Sequence, residues 1–260
     1  MAATGFEDLL AEGLGVDVEA GWGAGFLRGR YVAGEPPWTW RGLARPLVQR
    51  SESMLDMGTG DGAVLAGLGP LAPLTVAYEE WMPTVPAADR TLRPLGVHVV
   101  VALGSADNVG PQRIVPRLPF ADASFDLILN RHEAFDARDV RRLLEPDGIF
   151  VTQQVARDEV ASVRALLGLP TEGRGWDLAE AVLQVEAAGL SVVDAAEARP
   201  VSRFTDIGAL VAYLRSVPWE VPEFELERFR PQLERVHYRC AGNGYVETVG
   251  HRFYLTACRT

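Results

Sequence analysis

A chain of 260 residues that is 48% hydrophobic and 23% charged has the composition of a globular protein with a large core, and it contains no run of eighteen or more apolar residues to cross a bilayer. Its formal net charge is −10, and all 25 basic residues are arginine, so the absence of lysine excludes Schiff-base and P-loop lysine chemistry. Two cysteines, Cys240 and Cys258, exclude a disulfide framework or a four-cysteine zinc site, and the four histidines lack metal-ligand spacing, so no metal is predicted.

Residues 1–50 carry Trp22, Trp38, Trp40 and the Pro36–Pro37 pair, and read as an N-terminal helical cap interrupted by a turn. The acidic opening stretch lacks the positive charge and continuous apolar run of a signal peptide, which predicts a cytoplasmic protein. Beyond it, short apolar runs alternate with glycine turns and helical stretches, the pattern of parallel βαβ units. Strands are predicted at 54–57, 75–78, 97–103, 125–130, 148–153, 190–195 and 252–257. Helices are predicted at 63–69, at 136–144 before the Glu145-Pro146-Asp147-Gly148 turn, and at 177–188 before Gly189. A long segment, 203–251, holds two more at 204–217 and 224–240, separated by the prolines of 218–222. No linker or repeat divides the chain, so it reads as one domain: cap 1–50, core 51–202, helical insertion 203–251 and last strand 252–260.

The informative stretch is Met54-Leu55-Asp56-Met57-Gly58-Thr59-Gly60-Asp61-Gly62, between the first strand and the first helix. Glycines at alternate positions let the chain turn tightly and let a ligand approach the backbone. A dinucleotide fingerprint would space its last two glycines by three, so this loop does not match one. Asp56 would repel a phosphate but suits a ligand bearing an ammonium and a sulfonium. Glu79 ends the second strand, seventeen residues beyond Gly62, where a carboxylate can accept both hydroxyls of a ribose. Loop and acid together indicate a nucleoside with a cationic group.

These residues, with Leu118-Pro119-Phe120, Ser124-Phe125-Asp126-Leu127-Ile128-Leu129 and Leu144-Glu145-Pro146-Asp147-Gly148-Ile149-Phe150, resemble the class I S-adenosylmethionine-dependent methyltransferases. The resemblance implies an α/β fold, a doubly wound seven-stranded mostly parallel Rossmann-like sheet whose last strand is antiparallel, with S-adenosyl-L-methionine as cofactor. It implies that Gly58, Thr59 and Gly60 hold the methionine part beside Asp56, that Glu79 holds the ribose, and that Asn130 at the end of strand four approaches the methyl group. Members of this type often carry an acid four positions before the Leu-Pro-Phe to contact the adenine, and here that position is Ile114. Gly104-Ser105-Ala106-Asp107 resembles the same element displaced by an insertion, so Ser105 and Asp107 are the adenine candidates, with a plain surface-loop aspartate as the alternative. Asn130-Arg131-His132-Glu133 and Thr152-Gln153-Gln154-Val155 resemble one bacterial branch of the superfamily.

His132 is the candidate general base, because an imidazole with an ordinary pKa near 6.5 can take a proton from an acceptor hydroxyl or amine. Asn, Arg and His also suit a plain strand-to-helix turn. Trp38, Trp40, Tyr213 and Trp219 are packing residues by default and candidate walls of an acceptor pocket otherwise. The resulting expectation is methyl transfer to a small-molecule metabolite in a lidded, aromatic-lined pocket. Net charge −10 opposes a nucleic-acid partner, no membrane partner is indicated, and the oligomeric state is left open. The alternatives are an RNA or protein methyltransferase with an open groove and a non-catalytic S-adenosylmethionine-binding protein.

Overall fold

The computed structural model describes residues 5–18, 24–105, 107–108, 117–171 and 175–260. Trp22 and Ile114, which the sequence brings forward, lie outside the described residues. The chain divides into two compact units, one of Pro37–Ala156, Gly175–Ala198 and Arg252–Thr260, the other of Met1–Pro36, Arg157–Arg174 and Arg199–His251.

The first unit is built on seven strands: β1 Ser53–Met57, β2 Leu74–Glu79, β3 His98–Val101, β4 Phe125–Arg131, β5 Leu144–Val155, β6 Ser191–Ala198 and β7 Arg252–Cys258. They form one sheet in the order β3-β2-β1-β4-β5-β7-β6. The pairs β2–β3, β1–β2, β1–β4 and β4–β5 are parallel, and β7 runs antiparallel to both β5 and β6, which is the doubly wound sheet the sequence predicts. Alternate residues of each central strand feed two cores, which is why these strands read as unbroken apolar runs. Met54, Leu127, Leu129 and Val151 pack on one face against Trp40, Ala44, Leu65 and Leu92. Leu55, Ile128, Phe150 and Leu255 pack on the other against Val140, Leu143, Ala181 and Val185. Chain direction through the sheet reverses between β1 and β4, so the crevice at their C-terminal ends is a topological switch point.

Several local expectations shift. The helix Trp40–Val48, capped by Thr39, belongs to this unit, so the first fifty residues are parted after Pro36. The run 63–69 shortens to a helix at Ala63–Ala66, and 97–103 to β3. The turn at 145–148 is a bulge within β5. Leu144 already pairs with Phe125, the register then shifts, and Asp147 takes φ 63°.

The second unit has its own core around Phe204, Ile207, Leu210, Leu214, Phe229 and Leu233. A three-stranded antiparallel sheet joins Tyr31–Val32, Val201–Phe204 and Val246–Val249 in the order 31–32, 201–204, 246–249. Helix Ile207–Ser216 starts later than expected because Asp206 caps it through Ala209 N–H and 201–204 pairs as a strand. Helix Leu226–Asn243 runs past Cys240 to Gly244, which takes φ 81°. Gly13 meets Gly208 so closely that a Cβ on Gly13 would stand 2.5 Å from the Gly208 carbonyl oxygen.

Candidate functional site

The residues singled out in the sequence come to one edge of the sheet through register. Met57 lies beside Tyr78 on β2 and Asn130 on β4, and Glu79 lies beside Val101 on β3. The loop after β1 turns with Gly58, Gly60 and Gly62 at φ 66°, 60° and 79°. Gly62 also sits against Leu92, which a Cβ would approach to 2.6 Å, whereas a Cβ on Gly60 meets open space. Glycine at 60 is therefore required by backbone conformation, and it leaves room above the loop.

Glu79, 5% exposed, fixes that loop. Its Oε2 accepts the Gly60 N–H at 2.6 Å and its Oε1 accepts the Trp81 N–H at 2.8 Å, while Thr59 N–H donates to the Tyr78 carbonyl. Each carboxylate oxygen keeps a further lone pair for a ligand hydroxyl. Asp56 is buried, and burial pushes its carboxyl up to about 7; Thr59 pulls it down, Glu79 raises it and Arg131 lowers it. Although Thr59 acts on that carboxyl, its Oγ1 completes no hydrogen bond of normal geometry.

Asn130 is fully buried in a polar cluster. Its Oδ1 accepts from Thr152 Oγ1 at 2.7 Å and Gln154 Nε2 at 2.6 Å, but its Nδ2 has no partner. The Tyr78 hydroxyl is also buried without a partner, packed so that a Cβ on Gly104 would be 2.6 Å away. Burial first, then Glu133, Glu80, Glu79 and Asp56, raises its pKa, so it stays a donor. Thr59 Oγ1, Tyr78 OH, Asn130 Nδ2 and Arg131 Nε are thus four unpartnered buried polar atoms at the ends of β1, β2 and β4. Leaving such an atom unpaired costs about 1–3 kcal/mol, and their convergence suits a polar ligand.

His132 takes φ 61°, and its N–H donates to the Gln153 carbonyl at 2.8 Å. Its Nε2 lies 3.1 Å from Gln153 Nε2, so the amide donates and the ring nitrogen accepts. Its pKa falls below the usual imidazole range, through the protein crowded around it and then through Arg131 and Arg252. The residue also keeps an exposed edge, and the direction leaves the ring neutral at pH 7.

Ser105 is buried and its hydroxyl donates to the Asp107 carbonyl at 3.2 Å, while Asp107 itself is exposed. Gly104 N–H donates to Glu80 Oε2 at 3.0 Å, which ties this segment to the end of β2. Of the aromatic candidates, Trp40 is core and Tyr213 packs with Tyr31 and Phe204. Trp38 donates to Gln153 Oε1 and meets Tyr254 edge-on, and Trp219 is exposed. Sequence reasoning gave no role to Glu133, whose side chain packs on Gly58 so that a Cβ there would be 2.5 Å away. Burial, then Glu80 and Glu79, pushes Glu133 up to about 7. Its one sequence signal is a place just after β4. Among the described residues no group of three His, Cys, Asp or Glu could hold a metal ion.

No protein-family model and no curated protein matches the sequence. Among solved structures, the chain is similar to the YcgJ protein of Bacillus subtilis, at 18% identity and TM-score 0.57 over 84% of this chain and 97% of that one. It is similar to a protein of Bacillus halodurans described as a "putative methyltransferase", at 15% identity and TM-score 0.57 over 84% and 99% of the two chains. A functionally unknown protein of Deinococcus radiodurans matches at 15% identity and TM-score 0.53, over 88% and 91%. With the strand order β3-β2-β1-β4-β5-β7-β6 and its antiparallel β7, these likenesses establish that the chain has the class I methyltransferase fold.

Proposed function

We propose that the protein is an S-adenosylmethionine-dependent methyltransferase acting on a small-molecule acceptor. The observation that carries this reading is the Glu79 carboxylate bound to Gly60 N–H, beside the unpartnered Thr59, Tyr78 and Asn130 atoms and the open space above Gly60. The cofactor supplies a methyl group already activated on a sulfonium. Gly58, Thr59 and Gly60 would receive its methionine part, with Asp56 as the anion facing its positive charge. Glu79 would take the ribose hydroxyls, Asn130 would lie toward the methyl group, and Ser105 and Asp107 are the candidates for the adenine. The acidic cluster of Asp56, Glu79, Glu80 and Glu133 favours a cation and opposes a phosphate.

With an activated methyl group, aligning the acceptor supplies much of the acceleration. His132, neutral, is our candidate to receive the acceptor's proton, at the Nε2 lone pair that the Gln153 amide occupies here and that the acceptor would have to take over. Net charge −10 supports a small molecule over a polyanion. Titration calorimetry tests the reading. S-adenosylmethionine and its demethylated product should bind, NAD and ATP should not bind comparably, and equal affinity for all four would refute it.

A further inference from the structure

The turn after β4 holds one acid against the glycine loop, and backbone bonds set its geometry. His132 takes φ 61°, a left-handed conformation uncommon for a residue with a side chain, and its N–H donates to the Gln153 carbonyl at 2.8 Å. The next carbonyl, that of Glu133, accepts from Gln154 Nε2 at 2.9 Å, so two successive bonds tie the turn to β5. Gln154 Nε2 also donates to Asn130 Oδ1 at 2.6 Å, which makes Asn130 and Glu133 parts of one hydrogen-bonded cluster. Fixed in this way, the Glu133 side chain lies across the end of β1. A Cβ on Gly58, the first glycine of the loop, would stand 2.5 Å from its Cγ and 2.5 Å from its Oε2.

A carboxylate in that place lacks the compensation that its neighbours have. Glu79 accepts the N–H groups of Gly60 and Trp81, and Asp56 has the guanidinium of Arg131 acting in its favour. Among the described residues no side chain donates to the Glu133 carboxyl, and the charges that act on it, those of Glu80 and Glu79, are negative. A buried carboxylate without a counterion is unfavourable until a cation meets it. Asn130, held in the same cluster, is fully buried with its Nδ2 unbonded, a second sign that a polar ligand completes this end of the sheet. Of the two positive groups on the cofactor, a sulfonium carries charge but no hydrogen to donate, whereas an ammonium carries both. The open lone pairs of Glu133 call for the ammonium.

Resting on the methyltransferase reading, we propose that Glu133 holds the α-ammonium of the cofactor's methionine part over Gly58, and makes the site demand that group. Glu133 is then a specificity-determining residue, and Asp56, already offset by Arg131, is the lesser anion for the ammonium.

Calorimetry tests this with two ligands, S-adenosylhomocysteine and its deaminated analogue, in which hydrogen replaces the α-ammonium and everything else is kept. The unmodified protein should bind S-adenosylhomocysteine at least about tenfold more tightly than the analogue, the discrimination of one charge-assisted hydrogen bond. Glu133→Gln is nearly isosteric, so it keeps the packing on Gly58 and removes the charge. It should weaken S-adenosylhomocysteine binding roughly tenfold and change binding of the analogue by no more than about twofold, which closes the gap between them. Equal affinities in the unmodified protein overturn the proposal without recourse to any variant. A gap that survives in Glu133→Gln overturns it by giving the ammonium to Asp56. A loss shared equally by both ligands overturns it as well, because Glu133 would then only shape the loop. If the unmodified protein binds neither ligand, the methyltransferase reading itself fails and the proposal falls with it.

Discussion

Replacing Glu79 by alanine removes the carboxylate that accepts Gly60 N–H at 2.6 Å and Trp81 N–H at 2.8 Å in a residue only 5% exposed. Two consequences follow from one deletion. The glycine loop loses the anchor that fixes it to the end of β2, and a bound ribose loses its acceptor. A hydrogen bond to a charged group contributes about 1.5–3 kcal/mol, so cofactor affinity should fall roughly 10- to 150-fold. Glu79→Gln is more discriminating than it first looks. Its amide nitrogen must face either Gly60 N–H or Trp81 N–H, donor against donor, so a nearly isosteric change should also weaken binding. Glu80→Ala is the control, because Glu80 accepts from Gly104 N–H and not from the loop. Calorimetry with S-adenosylhomocysteine, on variants whose melting confirms the fold, reads the result. Unchanged affinity for Glu79→Ala, or greater damage from Glu80→Ala, would refute the placement of the ribose.

Gly60→Val should abolish cofactor binding while the sheet stays folded. The side chain enters the open space above the loop, and the residue carries φ 60°, a left-handed conformation that costs an L-residue about 1–2 kcal/mol. A valine variant with normal affinity in calorimetry would place the ligand elsewhere. Asp56 and Glu133 are both raised to about 7. Because their folded pKa values lie above the unfolded ones, their contribution to stability is present in acid and lost as pH rises through about 7. A cationic ligand favours the ionised forms, so S-adenosylmethionine affinity should rise between about pH 6 and 8, by at most about tenfold per unit for each proton released. Asp56→Asn should flatten that rise, and a pH-independent affinity would refute the link. His132→Ala should lower kcat by on the order of 10²-fold at saturating cofactor, with cofactor affinity retained. Since the ring is neutral at pH 7, the rate profile should show no loss of activity near pH 6.5 assignable to it; near-normal kcat would leave alignment alone as the mechanism. Incubation with labelled cofactor should move label into a metabolite extract and not into total RNA. Label in RNA with a steep salt dependence would reverse that choice.

The fold and half of the candidate site were legible in the sequence because both are written in short-range patterns. The β1 strand, the glycines of 58–62 and Asp56 lie within ten residues, and a strand, a forced left-handed turn and a buried acid each follow from local chemistry. Glu79 was reachable because it terminates an apolar run whose direction fixes which end meets the glycine loop. What escaped depends on residues far apart in sequence. Nothing near Glu133 announces that it packs on Gly58, and nothing near Arg131 announces Arg252, because register across β4, β5 and β7 brings them to one face. The bulge at 145–148 looked like a turn because Pro and Asp-Gly carry the same local signal in both settings; pairing of Leu144 with Phe125 decides between them. Likewise Val201–Phe204 becomes a strand because Val246–Val249 and Tyr31–Val32 pair with it. Four residues have too little periodicity of their own to specify that state. Local periodicity thus marked the strands and the glycine loop, and the resemblance they carry implied the Rossmann-like sheet, whereas strand register and packing decided which distant charges share the candidate site. Side-chain electrostatics act across space and leave no trace in sequence spacing.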